Sequence, residues 1–338
     1  MVGLRFGCHI IKTQILSGFG SEYFELGAIC DINKERLAKR ASEYGVKAYD
    51  DFDKLLADDE IHAIGLFTGP VGRGELILKS IRAGKDVMTT KPFELDPENA
   101  EKVLDEAKRL NRVVYLNSPC ASYSDDLKKI KEWQERYALG RPLFARHEGW
   151  YKSLQRADGS WYDDPELCPV APIFRLGIYG INDMLMIFGE PELVQVMESR
   201  LMTGRPTSDM AQMCIRFKDG SMGHLINSWC LQPAREVCSL TIYFENGTVY
   251  RNPPLYSAYP TIEVKMCVVP SKNVDGTPVE TVTLKPHQLS NSYQWDRFYK
   301  AIKGQRPKDE IPSQVIINGI RIIQAMKRAS KSKKTEYV

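Results

Sequence analysis

Two stretches carry side chains whose chemistry depends on how the chain aims them. The first is residues 86–93, D-V-M-T-T-K-P-F, where Lys91 ends an apolar run and Pro92 follows it. A short apolar segment after the Gly84 turn reads as a buried parallel strand, and ligands of open α/β sheets collect beyond the carboxyl ends of such strands. Pro92 restricts Lys91 to extended backbone, so the strand sets the direction of the ammonium. A lysine taken alone is more often a solvated loop residue. The second stretch is residues 172–188, P-I-F-R-L-G-I-Y-G-I-N-D-M-L-M-I-F. It reads as an apolar helix in which Arg175, Tyr179 and Asn182, spaced by four and three, share one face. A polar stripe of this kind either satisfies itself in a core or lines a site.

The elements that must position these groups follow two patterns. Over residues 1–120 short apolar runs (2–7, 26–30, 63–67, 86–90, 113–116) alternate with amphipathic helical stretches (12–20, 34–44, 74–83, 97–110). Repeated βα units predict a Rossmann-type, doubly wound parallel sheet with its ligand site at the switch point beside the first strand. From residue 121 to 338 the pattern changes. A helix over 125–137 leads into strand-like runs at 143–149, 193–201, 210–217, 222–230, 237–244, 248–251, 262–269 and 279–284. The turns K-D-G and E-N-G punctuate them, as in a mostly antiparallel sheet. Two amphipathic helices, 293–302 and 313–329, close the chain. The expected class is α/β: a Rossmann domain over 1–120, then an α+β domain over 121–338 for substrate binding and oligomerisation, with the C-terminal helix able to pack back on the first domain.

Asp31, in C-D-I-N, ends the second strand where a dinucleotide-binding domain places the acid that bonds the adenosine ribose. A carboxylate there favours NAD over NADP; Lys34 and Arg36 pull the other way. A helix N-cap is the alternative reading of the same residue. The first turn should read G-x-G-x-x-G, yet counting back from Asp31 puts the three glycine positions on Phe6, Cys8 and Ile11. A frame starting at Gly7 puts His9 and Lys12 in the other two places. Lys12 or His9 then supplies the positive charge that a phosphate needs. The expected cofactor contacts are Cys8, His9 and Ile10 at this turn, Asp31, Thr68 and Gly69 after the third strand, Lys91 and Pro92, and Asn117, which is placed to reach a nicotinamide carboxamide.

Composition excludes other classes. A formal charge of +3 over 338 residues argues for neither a nucleic-acid partner nor a membrane surface. The basic run at residues 327–334 reads as a solvated helix end. Eight cysteines, with no C-x-x-C pair among them, argue against a structural metal and against a disulfide framework. No apolar run approaches the roughly 18 residues that span a bilayer. A reduced, cytoplasmic protein is expected.

Taken together, T-K-P at 90–92, P-I-F-R-L-G-I-Y-G-I-N at 172–182 running into F-G-E-P at 188–191, and the hairpin F-K-D-G-S-M-G at 217–223 resemble the Gfo/Idh/MocA oxidoreductases. The resemblance covers nearly all of the chain. It implies hydride transfer between a nicotinamide and a secondary hydroxyl or ketone of a sugar, sugar acid or cyclitol. In that scheme Lys91 holds and polarises the reacting oxygen, and Tyr179, where relatives have His or Tyr, is the acid or base. Two departures stand out: Thr90 replaces the family's Glu, and Arg175 replaces its Asp. The second reverses charge inside the implied site. It points to an anionic substrate group on Arg175 with Lys152, unless Asp163, Asp164 or Glu166 neutralises the guanidinium. Asn182 completes the substrate set. Two other functions share this layout: a lyase or hydrolase that oxidises its sugar transiently with bound NAD, and a non-catalytic binding protein. By analogy with relatives, the partners expected are a small carbohydrate and a second copy of the chain, as a homodimer or homotetramer.

Overall fold

The computed structural model describes residues 1–151, 154–230, 237–252 and 263–338. They form two compact units, Met1–Ser122 with Tyr293–Ser313, and Tyr123–Ser292 with Gln314–Val338. In chain order, the first unit contains α1 (Gly7–Ile10, continued by a π-turn over Ile11–Ile15), β1 (Ala28–Cys30), α2 (Lys34–Tyr44), β2 (Lys47–Tyr49), α3 (Phe52–Leu56), β3 (Ala63–Leu66), α4 (Arg73–Arg82), β4 (Asp86–Thr89), α5 (Pro97–Arg109) and β5 (Val114–Leu116). The second contains α6 (Asp125–Arg136), β6 (Pro142–Trp150), a π-turn over Ile173–Gly177 leading into α7 (Ile178–Phe188), β7 (Pro191–Ser199), β8 (Met210–Phe217), β9 (Met222–Ser228), β10 (Val237–Phe244), β11 (Gly247–Arg251), β12 (Val264–Pro270) and β13 (Glu280–Leu284). The chain returns to the first unit with α8 (Trp295–Ile302) and ends in the second with α9 (Ser313–Ser332) and β14 (Glu336–Tyr337).

The sheet of the first unit is parallel throughout. β1 pairs with β2, and β4 lies between β3 and β5. Val2 bridges Cys30 on one side and Leu66 on the other, joining the two parts in the order β2, β1, Val2, β3, β4, β5. This order reverses direction at Val2, as the doubly wound expectation requires. Local chemistry sets the boundaries. Asn33 caps α2 by accepting from the Arg36 amide at 2.8 Å, and Gly45 ends it in the left-handed region at φ +66°. Asp96 caps α5 with Pro97 in its first turn. Ile10, Phe67, Met88, Tyr115, Trp295 and Phe298 pack one face of the sheet, so α8 owes its place to apolar burial in this unit.

Two expectations change here. The first strand, expected over residues 2–7, reduces to the bridge at Val2, because Gly3 turns the chain and a helix begins at Gly7. β2 and α3 carry too few apolar residues to have been read from periodicity; only Leu55 and Leu56 of α3 are buried, and β2 is half exposed.

The second unit is built on a nine-stranded sheet ordered β13, β12, β11, β10, β6, β9, β8, β7, β14, antiparallel except where β6 runs alongside β9. The π-turn and α7 lie against this sheet through one glycine each. A Cβ on Gly180 would come within 2.5 Å of the His147 ring, and one on Gly177 within 2.6 Å of Asn227 Oδ1. His147 is 1% exposed, and burial pulls its pKa down to about 3, with the Arg251 charge adding to the effect. The fold therefore holds His147 neutral, and this contribution is complete above the unfolded value near 6.5 and is lost as pH falls below it. Between pH 6.5 and 4.5 the wild type is expected to lose roughly 2 kcal/mol more than His147→Gln, the slope approaching about 1.4 kcal/mol per unit below pH 6.5. Urea midpoints at both pH values measure this; parallel pH profiles would count against it.

Candidate functional site

Lys91 is half-buried just past the end of β4. The main chain around it is held from two directions. On one side Asn117, one residue past β5 and 1% exposed, offers Oδ1 to the Lys91 amide at 3.3 Å and to Thr90 Oγ1 at 3.2 Å. On the other, Nη1 of Arg73 donates to the carbonyls of Thr90 at 2.8 Å and Pro92 at 2.5 Å, and Nη2 donates to the carbonyl of Thr68. Three consecutive strand ends, carrying Thr68 and Gly69, Thr90 to Pro92, and Asn117, are thereby drawn into one assembly. Asn117 faces this loop through its amide oxygen and serves as its support. Arg73 escaped the sequence reading. Its signal is a cation in the first turn of a helix, where the dipole disfavours it.

The turn at the switch point also differs from expectation. Gly3, at φ +84°, turns the chain, and a Cβ there would meet the Phe67 carbonyl oxygen at 2.8 Å, so this backbone position requires glycine. The glycine of the turn thus stands ahead of the frame counted on Phe6, Cys8 and Ile11. Cys8 and Ile11 pack with Leu4, Ile29 and Leu37, and Ile10 packs in the cluster of Phe67 and Met88. The side chains of Cys8 and Ile10 are therefore core residues, because the helix starts earlier and rolls them inward. His9 remains exposed, stacked on Phe6 with ring centroids 5.7 Å apart, and Lys12 is paired with Glu43 at 2.9 Å.

Asp31 is 5% exposed and already engaged. Its Oδ2 accepts from the Leu4 amide at 2.7 Å and its Oδ1 from the Asn33 amide at 2.8 Å. Arg36 Nη1 reaches both oxygens, at 3.1 and 3.2 Å. A carboxylate offers about four acceptor positions, and these donors occupy them. Asp31 ties the switch-point turn to β1; Arg36, with its side chain 32% exposed, covers it.

In the second unit, the Arg175 guanidinium lies against two rings, 3.9 Å from Tyr162 and 4.2 Å from Trp229, and Nη2 donates to Gln155 Oε1 at 2.8 Å. Burial lowers its pKa from the ordinary arginine value, and the guanidinium stays charged. Two of the acids expected to neutralise it, Asp163 and Glu166, have partners of their own. Asp163 pairs with Arg205 at 2.7 Å, while Lys331 and Lys327 pair with Glu166 and hold its pKa down to about 2. Tyr179 sits half-buried in the first turn of α7, beside Gly180. Asn182 leaves the expected stripe: it is 3% exposed, and its Oδ1 lies 2.8 Å from where a Cβ on Gly319 of α9 would stand. The π-turn preceding α7 changes the angular step between Arg175 and Tyr179, so their spacing of four no longer marks one face, while Asn182 is turned toward α9. Lys152 lies outside the described residues.

Comparison with known proteins matches residues 1–118 to a family model described as "Oxidoreductase family, NAD-binding Rossmann fold" and residues 127–250 to the "GFO/IDH/MocA C-terminal domain". The chain belongs to the Gfo/Idh/MocA oxidoreductase family. Among curated Gfo/Idh/MocA relatives, an uncharacterized oxidoreductase of Schizosaccharomyces pombe is 30% identical over 158 residues, 46% of this chain and 42% of that protein. The myo-inositol 2-dehydrogenase of Thermotoga maritima is 27% identical over 122 residues, 36% of each. The chain thus spans well under half the length of these relatives. Among solved structures, levoglucosan dehydrogenase in complex with NADH and levoglucosan superposes with a TM-score of 0.77 at 16% identity, covering 100% of this chain and 97% of that one. A putative NADPH-dependent oxidoreductase from Desulfitobacterium hafniense gives 0.77 at 15% identity, covering 99% and 96%. These likenesses establish the fold.

NAD is the cofactor of this domain type, and the residues present fit it at two places. The Gly3 turn passes closely against Phe67 at the switch point, and Thr68, Gly69 and Lys91 stand half-exposed along the carboxyl edge of the sheet. The ribose end departs from the common pattern, since Arg36 and not Asp31 faces outward. Among the described residues no helix is long and apolar enough to cross a membrane.

Proposed function

We propose that the protein is an NAD(H)-dependent dehydrogenase or reductase acting on a secondary hydroxyl or ketone of a sugar, sugar acid or cyclitol. The observation that carries this reading is Lys91, held by Arg73 and Asn117 at the carboxyl edge of an NAD-binding sheet. Relatives named as inositol and levoglucosan dehydrogenases favour the same substrate class. A bound nicotinamide supplies the hydride acceptor or donor. The chain supplies the rest: Lys91 donates a hydrogen bond to the reacting oxygen, and Tyr179 takes the hydroxyl proton as its phenolate during oxidation or returns it as the phenol during reduction. Screening sugar acids, neutral sugars and cyclitols with NAD and NADP, followed at the NADH absorbance band, tests the reading. No turnover with any of them, from protein shown to bind nicotinamide cofactor, would overturn it.

Two finer features follow from the same residues. Arg36 covers the acid that would otherwise select NAD, so the wild type should tolerate the 2′-phosphate. Arg36→Ala is expected to raise the NAD-to-NADP ratio of kcat/KM about tenfold, the loss of roughly one charge-assisted hydrogen bond to phosphate. An unchanged ratio would remove Arg36 from the ribose end.

Arg175 keeps a fixed positive charge against Tyr162 and Trp229, and a guanidinium suits bidentate carboxylate binding. A substrate carrying a carboxylate is the corresponding expectation. Arg175→Met should cost a sugar acid about 2–3 kcal/mol of transition-state binding, near 100-fold in kcat/KM, while sparing its neutral analogue. Equal losses on both substrates would show that Arg175 supports the fold only.

A further inference from the structure

Arg73 is the unexpected charge of the first unit: a guanidinium 3% exposed, in the helix turn where a cation is least welcome. Burying such a group is costly unless its donors are used. Here they reach the carbonyls of Thr90 and Pro92, the two residues that flank Lys91, and that of Thr68 on the neighbouring strand end.

We infer that Arg73 is the positioning residue for Lys91, fixing the direction of its ammonium by holding the carbonyls on either side of it. The inference rests on the proposed role of Lys91 at the reacting oxygen. The planar fork of an arginine can span carbonyls from two separate loops, which the point charge of a lysine cannot. Asn117 also holds the Lys91 amide, and removing Arg73 takes away the support at the two flanking carbonyls and lets the loop shift. A displacement near 1 Å at a reacting group costs on the order of 10²-fold in rate.

The test compares Arg73→Lys and Arg73→Gln with wild type in the full chain. Three quantities are read: kcat on whichever substrate the screen identifies, the dissociation constant for NADH, and the acetic anhydride labelling rate of each lysine by peptide mass spectrometry. Lys79 lies on α4, the helix that Arg73 opens, and reports whether that helix stays intact. The expected result is a fall in kcat of about 100-fold, NADH binding little changed, and a severalfold change in Lys91 labelling with Lys79 labelling unmoved. Wild-type kcat and wild-type Lys91 labelling in both variants would overturn the inference. So would a change in Lys79 labelling matching that of Lys91, which would mark general loosening. If Arg73→Gln does not fold, Arg73→Lys decides. If Lys91→Ala keeps full turnover, the proposed function fails on its own, and the labelling ratio still settles whether Arg73 positions the lysine.

Discussion

Lys91→Ala is expected to lower kcat/KM by about three orders of magnitude, within the 10²–10⁴ range typical of a group acting on a proton or oxygen at the reacting centre. Stability should change by no more than about 1 kcal/mol, because the ammonium belongs to a half-buried side chain and the loop is held through main-chain groups. A large catalytic loss with intact folding separates this role from that of Asn117, whose replacement removes a buried acceptor from the same loop. Tyr179→Phe, which keeps the ring and removes only the hydroxyl, should fall by about 10²-fold on the same scale. Steady-state kinetics over a range of pH, with a thermal melt of each variant, provide the measurement. Retention of more than a tenth of wild-type kcat/KM by Lys91→Ala would refute the assignment.

The largest stability effect is expected at Arg251. This residue ends β11, its side chain is 11% exposed, and it bonds Asp126 of α6 at 2.6 Å, Asp183 of α7 and Ser290 Oγ at 3.0 Å. One guanidinium thus links two helices to the sheet. Burial pushes the Asp183 carboxyl above the usual carboxylate range, and the Arg251 charge opposes that shift. Removing the cation strands two buried carboxylates, a loss that costs about 3–5 kcal/mol when one member of a buried ionic network is deleted. Arg251→Met should therefore lower the urea midpoint sharply. Adding Asp183→Asn to that variant should restore part of the loss, since a neutral amide is cheaper to bury without a partner. A single variant within about 1 kcal/mol of wild type would show the network to be dispensable.

The βα alternation and the period-2 runs were legible because burial imposes them on every element that packs against a sheet. α2, β8 and β10 stand over the residues expected for α2 and β8 and β10 alike, 34–44, 210–217 and 237–244. The place of Lys91 just past a buried strand was legible because proline and an apolar strand on either side leave its position little freedom. The glycine turn was misplaced because counting back from Asp31 assumes a fixed strand and helix length. The actual turn at Gly3 is dictated by contact with Phe67, a residue 64 positions away in the chain.

Residue order sufficed wherever the controlling force is local or periodic: the amphipathic faces, the turn residues, and the division into a parallel and a mostly antiparallel sheet. The partners of charged groups needed the folded chain. Asp31 is closed by Leu4 and Arg36, Arg73 is spent on three strand-end carbonyls, and Arg175 rests on Tyr162 and Trp229 while Asp163 and Glu166 pair elsewhere. Charge and hydrogen-bond complementarity act over a few ångströms in space without regard to separation along the chain. Such pairings therefore carry no periodic signature, and only the packing of distant segments selects them.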